Sequence, residues 1–296
     1  MISRAIFQFL GMWCLLMAFA FSIWYIPRSS IFPRASFGAI LHEETSEYSK
    51  IRVRGDDQKR HLLFVSDAGV EQLQSTIDLA NPGQLQVAYT KTLFASLLFK
   101  QRQERVLLIG LGGGGMVRFV EENLPETSIE VVEIDPAVVR LADEYFETRD
   151  GIRVEIHTED AFDFVARRHE PFDAIYLDAF LRPSVDHDPG GKTARLKTVE
   201  FLKKIKNHLV GDGILACNLI SYRKTTPGDL EALREVFVTV EQYDVPGSGN
   251  MVVIASKGEV IRTEEEWLRV AERLESRIPD LAFQKLSLIH ISEPTR

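Results

Sequence analysis

The alternation of apolar and polar residues between Val106 and Glu133 predicts a strand, a helix and a second strand. The first apolar run ends at Gly110. After a glycine-rich stretch, apolar residues recur at the spacing of one helical face: Met116, Val117, Phe119, Val120 and Leu124. A second apolar run then ends in Glu133. This order of elements is typical of the first half of a nucleotide-binding α/β unit.

The rest of the chain continues the alternation of strands and helices. Further apolar runs predict strands at 153–157, 172–178, 213–219, 236–243 and 250–256, and a charged helix at 264–277. The last two strands are split only by Pro246-Gly247-Ser248-Gly249, which predicts an antiparallel hairpin. The sequence therefore predicts an α/β fold with a doubly wound, Rossmann-like sheet of seven strands that the hairpin closes.

The glycine cluster after the first strand indicates where a ligand binds. Its candidate positions are Gly110, Gly112, Gly113 and Gly114. Glycine permits a sharp turn and a close approach of the backbone to a ligand, and the helix that follows offers unpaired N–H groups. Glu133, at the end of the second strand, can accept hydrogen bonds from both hydroxyls of a ribose. Together these positions predict an adenosine-type cofactor.

Two further acids bear on which adenosine cofactor is bound. The spacing Gly110-x-Gly112-x-x-Gly115 also fits a dinucleotide site, so NAD is a distant alternative. Asp135 begins the helix after the second strand, and Asp160-Ala161 follows the third strand, where methyltransferase-type folds bind the adenine amino group. These three cofactor-binding candidates favour S-adenosylmethionine or a relative of it. The closing hairpin agrees, because dinucleotide domains usually lack one.

The composition of the chain argues against nucleic acid, disulfides and metal ions as parts of its function. The formal net charge of -8 over 296 residues argues against nucleic acid as a default partner. Of the 2 cysteines, Cys14 lies in an apolar leader and Cys217 in a predicted buried strand, so we expect no disulfide. No spacing of metal ligands occurs, and we expect no metal cofactor.

The N-terminal segment 1–34 is predicted to be a membrane anchor. Residues 5–26 are almost wholly apolar, which is about the length that spans a bilayer. Ala18-Phe19-Ala20 resembles a signal-peptidase site, so a cleaved leader is the alternative. Because the apolar run continues through Trp24 and Tyr25, we prefer an uncleaved single-pass helix. Adenosylmethionine compounds are cytosolic, so the catalytic domain is expected to face the cytoplasm.

Four segments resemble the spermidine synthase-like family, the polyamine aminopropyltransferase domain. They are residues 44–51 (ETSEYSKI), an opening strand; 63–72 (LFVSDAGVEQ), a hairpin; 88–91 (AYTK), a helix start; and 172–178 (FDAIYLD), the fourth strand. The resemblance covers about residues 37–256. It implies a small N-terminal β-domain at 36–79 and a catalytic domain at 84–258. A C-terminal helix is expected within 259–285.

The resemblance also implies an aminopropyl transfer and the residues that perform it. Asp178 matches the family's catalytic aspartate, Tyr89 and Tyr48 would orient the amine, and Gln72 matches a cofactor-binding position. A primary amine is protonated at neutral pH, so it attacks only after a carboxylate has accepted its proton. The cofactor is then decarboxylated S-adenosylmethionine or S-adenosylmethionine itself, without a metal, and the substrate is a small amine. The resemblance leaves a homodimer open.

Three positions depart from the family pattern and leave other functions open. Gly113 stands where the family has an aspartate that holds the amino end of the decarboxylated cofactor. Lys91 replaces an expected acid, and Leu181 replaces the second aspartate of the catalytic segment. Asp186 and Asp188 could restore acidic charge through a longer loop. The alternatives are a methyltransferase that uses S-adenosylmethionine on the same scaffold, and a catalytically silent binding module.

The last residues, 286–296 (LSLIHISEPTR), do not resemble a protein family. They match the conceptual translation of a transposase-type sequencing adapter. We therefore expect no functional residue in this segment, and His290 is not a candidate for the site.

Overall fold

The computed structural model describes residues 37–167, 170–179 and 195–292 of the chain. The chain divides into two units, Met1–Gly38 and Ala39–Arg296, and the elements below belong to the second. The predicted membrane helix and the acids Asp186 and Asp188 lie outside the described residues. Within the described ranges, no helix is long and apolar enough to cross a membrane.

The first sheet contains four antiparallel strands that pair in sequence order. They are β1 Ala39–Thr45, β2 Lys50–Gly55, β3 Lys59–Val65 and β4 Glu71–Asp78. One face of this sheet buries Ile51, Val53 and Leu62 in the core, as the period-two alternation of a strand requires. This is the small N-terminal β-sheet that the resemblance implies.

A turn at residues 46–49 interrupts the predicted opening strand at 44–51. The hydroxyl oxygen of Ser46 accepts hydrogen bonds from the backbone N–H groups of Tyr48 at 3.1 Å and Ser49 at 2.9 Å. Such bonds compete with the pairing of strands, so β1 ends before the turn and β2 begins after it.

The second sheet has seven strands in the order β7, β6, β5, β8, β9, β11, β10. They are β5 Arg105–Ile109, β6 Ser128–Glu133, β7 Val154–Thr158, β8 Phe172–Leu177, β9 Leu209–Ile220, β10 Thr239–Asp244 and β11 Asn250–Ser256. Strands β5 to β9 are parallel, whereas β11 pairs antiparallel with both β9 and β10. The predicted doubly wound sheet with its closing hairpin is confirmed.

Helices cover both faces of this sheet. Those of the described residues are α1 Ala88–Leu93, α2 Ser96–Phe99, α3 Gly115–Asn123, α4 Pro136–Phe146, α5 Ala161–Arg167, α6 Val199–Asn207, α7 Thr226–Val236, α8 Glu264–Arg277 and α9 Phe283–Ser292. Val106 and Leu108 of β5 join one core cluster, and Leu107 and Ile109 join another. The two clusters lie on opposite faces, because successive strand residues point in opposite directions.

Several element bounds differ from the sequence expectation, among them the start of β9 at Leu209 rather than at residue 213. The strand expected from residue 236 begins at Thr239, because α7 continues to Val236 and the N–H of Phe237 still donates to the carbonyl of Leu233 at 2.9 Å. The C-terminal segment contains α9 after α8, and Leu286 of α9 packs against the core.

The strand order fixes where a ligand can bind. The chain passes from β5 to β6 on one side and later enters β8 on the other side of β5. In open α/β sheets, the crevice at the carboxyl ends of the strands beside such a reversal is the usual binding place. Gly110, Glu133 and Asp178 lie at the carboxyl ends of β5, β6 and β8.

Candidate active site

A cavity lies at the carboxyl ends of β5, β6 and β8. Most predicted site residues line it: Gly110, Gly112, Glu133, Asp135, Asp160, Ala161, Tyr89 and Asp178. Ser49, Phe64 and Gln74 contribute a wall from the small sheet. The two sheets therefore build the site jointly.

Three glycines of the loop after β5, Gly110, Gly112 and Gly114, adopt backbone conformations that favour glycine. Gly110 has a φ of +99° and Gly112 a φ of +55°. A Cβ atom at Gly110 would lie 2.5 Å from the carbonyl oxygen of Asp178. The missing side chain thus allows β5 and the end of β8 to approach closely beside the cavity.

Gly113 and Gly114 do not line the cavity, although the sequence predicts both as cofactor-binding positions. A Cβ atom at Gly113 would lie 2.8 Å from the ring of Phe146, and one at Gly114 would lie 2.2 Å from the side chain of Thr148. These two glycines pack the loop against the end of α4. The space into which an acidic side chain at position 113 would project is occupied by Phe146.

Glu133 holds the loop after β5 and faces the cavity. Its Oε2 accepts the N–H of Leu111 and its Oε1 accepts the N–H of Asp135, each at 2.9 Å. Burial raises the pKa of Glu133, while these backbone hydrogen bonds act in the opposite direction. A carboxylate has about four acceptor positions, so Glu133 keeps the capacity to accept a further hydrogen bond from a ligand hydroxyl.

The two other predicted acids begin helices at the cavity edge. Asp135 is the N-cap of α4, since its Oδ1 accepts the N–H of Ala137 at 2.9 Å, and its Oδ2 accepts the hydroxyl of Ser46 at 2.5 Å. Burial raises the pKa of Asp135. Asp160 accepts the N–H of Phe162 at 2.9 Å at the start of α5. Asp135 therefore ties the small sheet to the seven-stranded sheet.

Asp178 receives a hydrogen bond on each carboxylate oxygen. The hydroxyl of Tyr89 donates to Oδ2 at 3.1 Å, and Nδ2 of Asn218 donates to Oδ1 at 2.9 Å. Burial raises the pKa of Asp178 to about 7, although both hydrogen bonds and the positive charge of Lys197 lower it. Asp178 can therefore exchange a proton close to neutral pH.

The two tyrosines predicted to orient the amine lie in different places. Tyr89 lines the cavity, and burial together with the negative charge of Asp178 raises its pKa well above its ordinary value, so it remains a donor. Tyr48 instead lines an adjoining cleft with Arg140 and Asp163. Because of the turn at 46–49, Ser49 rather than Tyr48 lines the main cavity.

Gln72 is exposed and does not line the cavity, whereas Gln74 does. A register shift opposite Leu62 and Leu63 of β3 leaves Gln74 outside the paired ladder of β4. A bulge of this kind redirects the side chain that it carries. The family motif points to Gln72, and no local sequence signal marks the bulge two residues later.

Ser49 is a cavity residue that sequence reasoning missed. Its side chain is fully buried, and within the described residues its Oγ has no hydrogen-bond partner. A buried hydroxyl without a partner costs free energy, and a polar ligand in the cavity would supply one. This hydroxyl, the open backbone at Gly112 and the carboxylate of Glu133 fit an adenosine-type cofactor.

Among the described residues that line the cavity, every formally charged side chain is acidic: Glu133, Asp135, Glu159, Asp160 and Asp178. Lys91, which stands where the family has an acid, does not line the cavity. A lining of this sign attracts cationic ligands.

The family model of the spermine/spermidine synthase domain matches residues 86–245. The chain belongs to this family. It is similar to the polyamine aminopropyltransferase of Vibrio vulnificus, with 30% identity over 83% of this chain and 81% of that protein. Like its relatives, the chain is a transferase.

Two other similarities show how widely this scaffold is used. An eEF1A lysine and N-terminal methyltransferase homolog of Drosophila pseudoobscura is 34% identical over 57% of this chain, but only 25% of that protein is covered. A solved structure of a probable spermidine synthase from Corynebacterium glutamicum has a TM-score of 0.62 at 22% identity, covering 79% of this chain and 87% of that one. The solved structure supports the shared fold.

Proposed function

We propose that this protein is a polyamine aminopropyltransferase that moves an aminopropyl group from decarboxylated S-adenosylmethionine to a small polyamine. The observation that carries the proposal is the hydrogen-bonded pair of Asp178 and Tyr89, which lines the acidic cavity beside the glycine loop. Donor and acceptor are both cations, and the acidic lining favours them. The similarity to the Vibrio vulnificus polyamine aminopropyltransferase supports the same assignment.

The donor would lie across the carboxyl ends of β5 and β6. Gly112 leaves its path open, and Glu133 would accept its ribose hydroxyls. Ser49 would provide a buried hydroxyl, and Asp160, which lines the cavity, would bind the adenine amino group. When bound, the donor supplies a sulfonium centre whose adjacent carbon takes the amine nitrogen while the carbon–sulfur bond breaks.

Asp178 would act as the general base. Its carboxylate accepts the proton that the amine nitrogen must lose, and its pKa of about 7 suits a base that works near neutral pH. Tyr89 and Asn218 each bind one oxygen, which fixes the plane of the carboxylate before the amine arrives. The proton then passes to solvent when the products leave.

One observation favours methyl transfer from intact S-adenosylmethionine as a second candidate. The space that a side chain would take at Gly113 is filled by Phe146, so the family's acid for the amino end of the decarboxylated donor has no equivalent there. The Drosophila pseudoobscura relative, named a methyltransferase homolog, agrees with this alternative. The acidic lining makes it the weaker candidate, because intact S-adenosylmethionine carries a carboxylate.

The experiment that decides between them offers the purified protein putrescine with each donor in turn. We expect spermidine and methylthioadenosine only with decarboxylated S-adenosylmethionine. Tight binding of intact S-adenosylmethionine without an aminopropylated product would move the assignment to methyl transfer. If the protein binds neither donor, the remaining alternative is a catalytically silent binding module.

Membrane anchoring by residues 5–26, with the catalytic domain in the cytoplasm, is part of the same proposal. The apolar composition of that segment supports it. The full chain should sediment with membranes and resist carbonate extraction, whereas a chain that starts at Ser36 should not. Recovery of a chain cleaved after Ala20 in the soluble fraction would contradict the anchor.

A further inference from the structure

We infer that Asn218 and Asn250 form a positioning relay that orients the carboxylate of Asp178. Nδ2 of Asn250 donates to Oδ1 of Asn218 at 3.0 Å, and Nδ2 of Asn218 donates to Oδ1 of Asp178 at 2.9 Å. The relay rests on the proposed function, in which Asp178 is the base. Neither asparagine lines the cavity, so both act through Asp178.

Strand pairing places these residues side by side. Asp178 follows β8, and Leu177 is in register with Cys217 of β9, so Asn218 is the next residue along its neighbouring strand. Asn218 is in turn opposite Val252 of β11, which places Asn250 one diagonal step away. Since strand residues alternate between faces, the three polar side chains occupy one face of three adjacent strands.

The burial of Asn218 shows why its amide must be oriented. The side chain is 1% exposed within an otherwise apolar run of β9. An amide can present either its oxygen or its N–H₂ group to a neighbour. Because Asn250 donates to Oδ1, the N–H₂ group of Asn218 is directed to Asp178, where it favours the ionised carboxylate.

Other ionisable groups surround Asp178. Tyr89 of α1 donates to it, Lys197 before α6 lowers its pKa, and Cys217 of β9 has a pKa that the charge of Asp178 helps to raise. Changes at Asn250 leave all three in place. The relay can therefore be tested without altering a residue that contacts the reacting groups.

The sharpest variant is Asn250→Asp, which is nearly isosteric but cannot donate when ionised. A carboxylate at position 250 would draw the N–H₂ group of Asn218 toward itself and turn the oxygen of Asn218 toward Asp178. We expect the apparent pKa on the acidic side of the pH profile of kcat to rise by about one unit. This rise lowers kcat about tenfold at pH 6.5 and little at pH 9. KM for both substrates should change less than about twofold, since Asn250 does not line the cavity and would contact neither substrate.

Asn250→Ala removes the donor without adding charge and should move the limb in the same direction by a smaller amount. Asn81→Asp, on an exposed turn, is the matched control and should leave the profile unchanged. A loss of kcat that is equal at all pH values would indicate a merely structural role and would overturn the relay.

A second readout separates failure of the relay from failure of the proposed function. The titration of the Asp178 side-chain carbon, followed by carbon-13 NMR, needs no activity. We expect its midpoint to rise in Asn250→Asp relative to the unchanged chain and the Asn81→Asp control. An unchanged midpoint would refute the relay, whether or not aminopropyl transfer is observed.

Discussion

The cavity holds two partly buried carboxylates in contrasting ways. Glu133, on the donor side, binds backbone N–H groups of Leu111 and Asp135, which lie close to it in its own strand–loop unit. Asp178, on the acceptor side, is held by the side chains of Tyr89 and Asn218 from remote elements. Burial raises the pKa of both acids. Backbone partners suit the binding role that we propose for Glu133, and side-chain partners suit the proton transfer that we propose for Asp178.

The largest effect is expected from removal of the base. Asp178→Asn keeps the shape and the hydrogen bond from Tyr89 but cannot accept the amine proton, so kcat should fall about 10²- to 10⁴-fold. Steady-state assays with putrescine and decarboxylated S-adenosylmethionine measure this loss. The exposed Asp244→Asn serves as the control and should retain full activity. A fall of less than about tenfold would show that Asp178 is not the base.

The donor side is tested by Glu133→Gln. This change removes the charge that we propose accepts the ribose hydroxyls but leaves an oxygen for one of the two backbone N–H groups. The dissociation constant of methylthioadenosine should rise at least about tenfold, because hydrogen bonds to a charged group contribute roughly 1.5–3 kcal/mol each. Calorimetry measures it, with the exposed Glu126→Gln as the control. An unchanged constant would refute the ribose assignment.

The same comparison predicts how stability depends on pH. An unfolded aspartate titrates near pH 4, whereas Asp178 titrates at about 7 in the folded chain. Below pH 4 both states are protonated, so burial of the acid has no ionisation cost. Between about pH 4 and 7 the unfolded state ionises first, and stability falls as pH rises, by roughly 4 kcal/mol at most.

Asp178→Asn should therefore gain stability over the unchanged chain at pH 8.5 and much less at pH 5. Urea unfolding of both chains at the two pH values measures the difference. Asp244→Asn, whose side chain is exposed, should show no such trend. An equal difference at both pH values would mean that Asp178 titrates normally.

The smallest contrast compares the two tyrosines. Tyr89→Phe removes a hydrogen bond to the base and should lower kcat about three- to tenfold, in line with about 1 kcal/mol for a hydrogen bond. Tyr48→Phe should change kcat less than about twofold, since Tyr48 lines the adjoining cleft rather than the main cavity. An equal loss of kcat in both variants would indicate that Tyr48 also contacts the amine substrate.

Sequence reasoning succeeded where the chemistry is local. Gly110 and Glu133 belong to one strand–turn–helix–strand unit, and the structure places both on the cavity. The family resemblance led to Asp178 and Tyr89, which are 89 residues apart and which no periodicity could have paired. Their roles in binding and catalysis stay predictions.

The residues that were missed depend on tertiary pairing. Asn218 reaches Asp178 across 40 residues, and its identity in an apolar strand gives no indication of its partner. The position of Gln74 depends on a bulge set by the register of β3, and that of Ser49 on a turn stabilised by Ser46. Such features arise from how separate elements meet, which a single sequence does not record.

The wall that Ser49, Phe64 and Gln74 supply from the small sheet has a consequence for the protein's dynamics. Because a ligand in the cavity would touch both sheets, its binding opposes their separation and slows every opening event that detaches one from the other. Amide hydrogen exchange in β2 to β4 should therefore slow together with that of β5 and β6 when methylthioadenosine is added. We thus expect a bound ligand to prolong the contact between the small sheet and the seven-stranded sheet.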